Sequence, residues 1–231
     1  MAEKKRASTR ASEARERMYR DLVLESAERV FAERGYHASK MQDVASGAGI
    51  SLGTLYTVFP GKGEIFEALH ETRGEAFLAR MEAVLHEDAD ARVVLWHSVR
   101  SFTEYLLEHP DYFRVDLREG RSWAVGDVES SPAFQKGIAQ WTDLIARGIK
   151  DGVFRDEDPG MMATTVFGLM QVQLAALLAN GAESDPRTIA RRLAASVERQ
   201  VCRLEVLALA PPWEKEPAGP ATNPMRKRRS K

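Results

Sequence analysis

The stretch from Gly35 to Lys62, GYHASKMQDVASGAGISLGTLYTVFPGK, constrains the fold more than any other part of this chain. Two short helical patterns stand on either side of Gly49, Ile50 and Ser51. Isolated helices shorter than ~12–15 residues are marginal in water, so both patterns need a third element to pack on. Ser39 reads as the first N-cap, with a hydroxyl that accepts an orphan backbone N–H. Met41, Val44, Ala45 and Ala48 follow at helical spacing on one face. Gly49 falls where a left-handed residue ends a helix. Ile50 then plugs the turn, and Ser51 reads as the second N-cap. The second helix runs from Leu52 to about Val58 and buries Leu55 and then Phe59, leaving Leu52, Gly53, Thr54 and Thr57 on the other face. This is the layout of a helix-turn-helix, whose second helix enters the DNA major groove. Small and hydroxyl-bearing residues let a backbone approach base edges, and Thr can donate, accept or meet a thymine methyl.

The third helix comes first in the chain. Tyr19, Leu22, Val23, Ala27, Val30 and Phe31 keep helical spacing from about Arg15 to Arg34, and Gly35 closes the run.

Taken together, FAERGY (31–36), QDVA (42–45), GIS (49–51), GTLY (53–56) and FPGK (59–62) resemble the TetR/AcrR family of bacterial transcriptional regulators over roughly the first third of the chain. The resemblance implies an all-α homodimer with an N-terminal three-helix DNA-binding domain and a C-terminal helical ligand-binding and dimerisation domain. It implies a repressor released from DNA by a small-molecule effector. It places Leu52, Gly53, Thr54 and Thr57 where the family reads bases, and Ser39, Lys40, Tyr56 and Lys62 where it grips phosphates. Lys40 departs from the family by standing where Thr is common, and Gly61 and Gly63 stand where Ser and Glu are frequent. From the residues alone, Tyr56 could equally be a core aromatic, and Lys40 and Lys62 solvated lysines. His37 reads as a loop residue.

The formal net charge of −1 hides a gradient: +2 over residues 1–64, −7 over 65–210 and +4 over 211–231. A modest local positive charge suffices for a dimer touching few phosphates. The domain reading is a disordered basic arm at 1–14, a helix-turn-helix domain at 15–63, a helical effector and dimerisation domain at 64–210, and a disordered basic tail at 211–231. The arm and the tail either touch DNA or merely solubilise. With a single Cys, Cys202, no disulfide can form within the chain. Its apolar helical setting favours a buried, inert thiol. No secretory signal pattern opens the chain, and no apolar run approaches the ~18 residues of a membrane span, so a cytoplasmic location with no membrane partner is expected.

The middle reads as helices: Lys62 to about Leu85, Ala91 to Glu108, Asp111 to about Glu119, Pro132 to about Lys150, Pro159 to about Asn180 and Pro186 to about Leu209, with a loop at 120–131. The last two are apolar over more than one face. From two subunits they would make a two-fold four-helix interface that sets two recognition helices ~34–36 Å apart on a palindromic operator. The alternative is that both helices belong to one subunit's core. Effector-pocket candidates are Trp96, Phe102, Tyr105, Phe113, Trp123, Phe134, Trp141, Phe167 and Gln171; each is equally readable as core. No catalytic motif, metal set or cofactor loop stands out. Glu104, Glu108 and His109 could hold a metal but read as a solvated helix end. The competing reading is a DNA-binding interaction protein of the same fold controlled by a protein partner or by no ligand.

Overall fold

The computed structural model describes residues 2–85, 89–119, 132–179 and 185–214. Among these lie α1 (Ala2–Arg34), α2 (Met41–Ala48), α3 (Leu52–Val58), α4 (Lys62–Leu85), α5 (Ala91–Glu108), α6 (Pro110–Glu119), α7 (Pro132–Lys150), α8 (Pro159–Ala179), α9 (Pro186–Val201), α10 (Leu204–Leu207) and a 3-10 turn at Pro212–Glu214, with no β-strand. The expected all-α class holds. Two compact units share the chain: Met1–Ala76 with His109–Ala133, and Phe77–Glu108 with Phe134–Lys231.

In the first unit, Val23, Leu24, Ala27, Val30 and Phe31 turn one face of α1 inward. Leu24 takes the core place expected of Leu22, which is 38% exposed. The helix reaches back to Ala2, where the sequence led us to expect an unstructured arm at 1–14. That segment has no apolar period. Its Ala, Glu, Lys and Arg are nonetheless strong helix formers, and they extend a helix already nucleated by packing.

α2 lies very close to α1. Ser26 Oγ donates to the Val44 carbonyl at 2.9 Å and Arg29 Nη2 to the Gly47 carbonyl at 3.1 Å. A Cβ on Gly47 would collide with the Ser26 hydroxyl. The N-cap of α2 is Lys40 and not Ser39: the Lys40 N–H donates to Asp43 Oδ2 at 3.0 Å, while Ser39 Oγ turns back to the Gly35 carbonyl at 2.6 Å. Gly49 ends α2 at φ +68° and Ser51 caps α3 by accepting from the Thr54 N–H at 3.0 Å, both as expected. Leu55 and Phe59 join Phe31, Val44, Ile65 and Leu69 in one core.

α6 belongs to this unit as well, so the expected domain border at 63/64 is corrected. Val115 is buried in the same core, Arg118 Nη1 donates to the Ala32 carbonyl at 2.9 Å, and Glu119 Oε1 accepts from the Tyr36 N–H at 3.3 Å.

In the second unit, α5 packs on α9 and α8 on α9. A buried ion pair ties the first two, with Arg92 Nε and Nη2 donating to Glu198 at 2.7 and 3.0 Å. Arg92 also donates to the Leu209 and Ala210 carbonyls, and Trp213 meets Trp96 with ring centroids 5.3 Å apart. The start of the expected disordered tail, up to Glu214, is therefore part of the fold; residues 215–231 lie outside the described residues. The last helix stops at Val201 rather than Leu209. Phe154 forms an antiparallel bridge with Cys202, the Arg155 N–H donates to the Val201 carbonyl at 2.8 Å and the Arg203 N–H to the Val153 carbonyl at 3.1 Å, so the backbone at 201–203 pairs with 153–155 in place of continuing the helical ladder. Leu204, three residues past that end, is 81% exposed. Burial pushes the Cys202 thiol up to about 12, with Glu198 adding to the shift, which suits an inert thiol. Glu104 and Glu108, expected to be solvated, pair with Arg80 at 3.1 and 2.6 Å.

The expectation about apolar length is also corrected. α8 is long and apolar enough to cross a membrane by length and composition, with a third of that stretch buried. Among the described residues no other helix meets this test.

Gly148 and Gly137 of α7 provide a matched test. A Cβ on Gly148 would enter the Phe154 ring, whereas one on Gly137 would meet Leu78 Cδ2 at an ordinary 3.8 Å. Urea unfolding should show Gly148→Ala destabilised by roughly 1–3 kcal/mol and Gly137→Ala stabilised by roughly 0.5–1 kcal/mol.

Candidate nucleic-acid interface

Ser51 sets the start of α3, and Leu55 and Phe59 fix which side faces in. The outer side is what remains. Gly53, Tyr56 and Thr57 are exposed and Thr54 is half-buried. Thr57 Oγ1 donates to the Thr54 carbonyl at 2.6 Å, which leaves its lone pairs and methyl outward. The Thr54 and Ser51 hydroxyls are hydrogen-bonded to each other at 2.8 Å. The surface is short, uncharged and hydroxyl-rich, and the missing side chain at Gly53 lowers it further. Leu52 differs from its expected place: it is half-buried and packs against the core. Its apolar side chain gains more from Leu55 and its neighbours than from solvent.

The expected phosphate contacts divide. Lys40 is exposed at the head of α2. Tyr56 is 51% exposed, which removes the core-aromatic alternative. Ser39 is corrected: it is 3% exposed and its hydroxyl serves the Gly35 carbonyl, so it faces the interior. Lys62 is corrected too. Its ammonium donates to the carbonyls of Tyr36 at 2.6 Å, Ser39 at 2.9 Å and His37 at 3.2 Å, and lies 4.5 Å from the Tyr36 ring centroid. An ammonium has three protons, and here each has an acceptor. Gly35 breaks α1 with φ +84°, leaving the loop carbonyls without helical partners, and the first residue of α4 collects them.

Around this face stand residues that sequence patterning missed. Arg20 lies over the Phe59 ring at 4.8 Å, and Arg34 pairs with Asp43 at 2.6 Å. Ser26, Arg29 and Glu119 act through carbonyls and amides remote in sequence, so local spacing carries no sign of them.

The expected effector residues do not form one set. Phe102, Tyr105 and Phe167 gather with Phe77 and Phe134, at ring separations of 5.2–5.9 Å. Trp96 pairs with Trp213 instead, and Trp141 is buried. Phe113 lies in α6 of the first unit. Gln171 is buried, and its Oε1 has no hydrogen-bond partner among the described residues. Trp123 and the 120–131 loop lie outside the described residues. The second unit does contain a half-open cavity of about 210 Å³, lined by Leu85, Gln140, Asp143, Leu144 and Arg147, none of them in the expected set.

Two family profiles match the chain. The one described as "Bacterial regulatory proteins, tetR family" covers residues 23–69, and "Tetracyclin repressor-like, C-terminal domain" covers 87–199. The transcriptional repressor KstR2 of Mycobacterium tuberculosis is 28% identical over 145 residues, 60% of this chain and 70% of its own. Its solved structure, of a ketosteroid transcriptional regulator, covers 80% of this chain and 95% of its own, with 24% identity and a TM-score of 0.66. The fatty acid metabolism regulator of Bacillus subtilis is 36% identical over 70 residues, 30% of this chain. The match spans little more than a third of the length of that protein and of a second B. subtilis regulator, 36% and 37%. The structure of B. subtilis FadR with stearoyl-CoA covers 76% of this chain and 96% of its own, with 19% identity and a TM-score of 0.63.

Replacing Lys62 with Met should destabilise the protein by ~1.5–3 kcal/mol, the usual worth of hydrogen bonds to a charged group. Chemical unfolding of the two proteins checks this.

Proposed function

We propose that this chain, which belongs to the tetR family of bacterial regulatory proteins, is a dimeric transcriptional regulator that holds a palindromic operator and leaves it when a small molecule binds the second unit. The outer face of α3 carries this reading: Gly53, Thr54 and Thr57 form a low, uncharged, hydroxyl-bearing surface on a helix whose other side is locked in a core. Thr54 and Thr57 read base edges, and Gly53 lets the backbone come close. Lys40 and Tyr56, exposed on either side, meet phosphates and set register. Leu52, Ser39 and Lys62 act behind this surface by holding α2, α3 and the loop before them.

Dimerisation follows from α8. It has no charged residue from Pro159 to Ala179, and its outer side leaves Met161 and Val172 68% and 55% exposed. Such an apolar face suits a second copy of the same helix, with α9 beside it. Val172→Arg should leave the helical content unchanged and shift the sedimentation coefficient from dimer to monomer.

Selection of bound sequences from random duplex DNA tests the operator reading. A two-fold motif with fixed half-site spacing is expected; an unenriched pool of bound sequences would overturn it. On the selected duplex, Lys40→Ala should lower the salt slope of binding by about two units, one phosphate contact from each subunit, and Lys62→Met should leave that slope unchanged. Thr57→Ala should relax preference at one base position in each half-site, worth ~1–3 kcal/mol of discrimination. Fluorescence anisotropy of labelled duplex reads these effects.

A further inference from the structure

The positive charge of the first unit lies outside its core. The +2 carried by residues 1–64 divides unevenly. Residues 2–20 hold seven Lys and Arg against three Asp and Glu, a net +4, whereas residues 21–64 hold four against six, a net −2. Three of those last four cations are committed within the fold. Arg29 donates to the Gly47 carbonyl, Arg34 pairs with Asp43, and Lys62 is held by three carbonyls. Lys40 is the fourth. A helix-turn-helix of net negative charge repels a polyanion at long range, yet phosphate neutralisation supplies nearly all non-specific affinity for duplex DNA.

α1 carries the charge that the core lacks. Its first core residue is Val23, and the helix continues back to Ala2, ~30 Å further at the α-helical rise per residue. Arg10 and residues 12–18 are exposed, so no described element covers this overhang. Phe31, Ala27 and Leu24 face the core, and the same helical stripe runs on through Arg20, Arg17, Glu13 and Arg10. Arg20 marks where the overhang leaves the body. Its guanidinium lies 4.8 Å from the centroid of Phe59, the C-cap of α3. The overhang therefore starts beside the end of the helix that carries Tyr56 and Thr57. From Glu13 to Arg20 the charges nearly cancel, three bases against two acids. The excess lies further out, where Lys4, Lys5, Arg6 and Arg10 stand against a single acid, Glu3.

We propose that the basic end of this overhang, residues 2–10 of α1, is a second DNA contact that lies against phosphates of the duplex flanking the bases read by α3. It rests on the DNA-binding reading above and adds to it an element outside the helix-turn-helix. A helix ~10–12 Å across does not enter a minor groove ~6 Å wide, so the overhang follows the backbone. Phosphate contacts carry no sequence information, and this one raises affinity and salt dependence without choosing the operator. Its length spans up to ~9 base pairs beyond α3.

The test compares the full chain with a variant carrying Lys4→Gln, Lys5→Gln, Arg6→Gln and Arg10→Gln together. Gln keeps helix propensity and none of the four positions belongs to the core, so helical content and thermal midpoint should be unchanged. Anisotropy titrations at several salt concentrations use the selected duplex and an unrelated duplex of equal length. On both, the salt slope should fall by about three to four units, two phosphate contacts from each subunit. Selection from random duplex should return the wild-type motif. A second variant, Lys4→Arg with Lys5→Arg, keeps the charge and should keep the slope. A slope changed by less than about one unit on both duplexes, a fall confined to the selected duplex with an altered motif, or a lowered thermal midpoint would overturn the contact. The two readings fail separately. A protein that selects a two-fold motif with an unchanged slope in the Gln variant retains its operator and loses the overhang contact. A protein with no sequence preference whose slope still falls retains the contact and loses the operator.

Discussion

A seven-residue helix does not persist in water alone, and the function read from this protein lies on one. α3 exists because Leu55 and Phe59 are buried with α1, α2 and the first part of α4 in one core. The angle at which it leaves that core is set by Gly49 in the left-handed conformation and by the Ser51 cap. α2 is held in turn by the close approach at Gly47, where the Ser26 hydroxyl occupies the room a Cβ would need. Each contact is modest in energy. Together they leave the outer face of α3 no freedom to choose its direction, as a surface meant to enter a groove requires.

Lys62 shows how the same unit closes its weakest point. The loop between α1 and α2 has carbonyls that no helix serves, and one ammonium gathers three of them. α6 adds the complementary grip, with Glu119 accepting from the Tyr36 amide and Arg118 donating to the Ala32 carbonyl. The loop is thus tied to α4 through Lys62 and to α6 through Glu119, while Arg118 ties α6 to the end of α1. A lysine that looks made for phosphate serves the backbone here.

Helix positions were largely legible in the sequence because apolar period, Gly termini and Ser or Pro starts all agree along this chain. α2, α3, α4 and α5 follow the expected spans within a residue or two. What sequence could not supply depends on contacts between distant residues. Nothing near Val201 announces that the Phe154 bridge ends α9, and nothing in α6 says that it joins the N-terminal helices. At the candidate interface, the outward-facing Gly53, Thr54 and Thr57 follow from helical spacing, whereas Tyr56 is indicated by the family resemblance alone. Ser39, Leu52 and Lys62 lie on the same stretch but turn inward, because each finds a backbone carbonyl or an apolar neighbour there. The aromatic residues of the second unit were the least legible, since a core and a pocket draw on the same residue types.

The central claim is that the outer face of α3, framed by the head of α2, is the surface that meets DNA. Amide hydrogen exchange with and without a tightly bound duplex tests it most directly. Slowed exchange concentrated at residues 40–42 and 51–59, with α7 and α8 unchanged, is the expected result. Unchanged exchange at 51–59 together with protection on another face would contradict it.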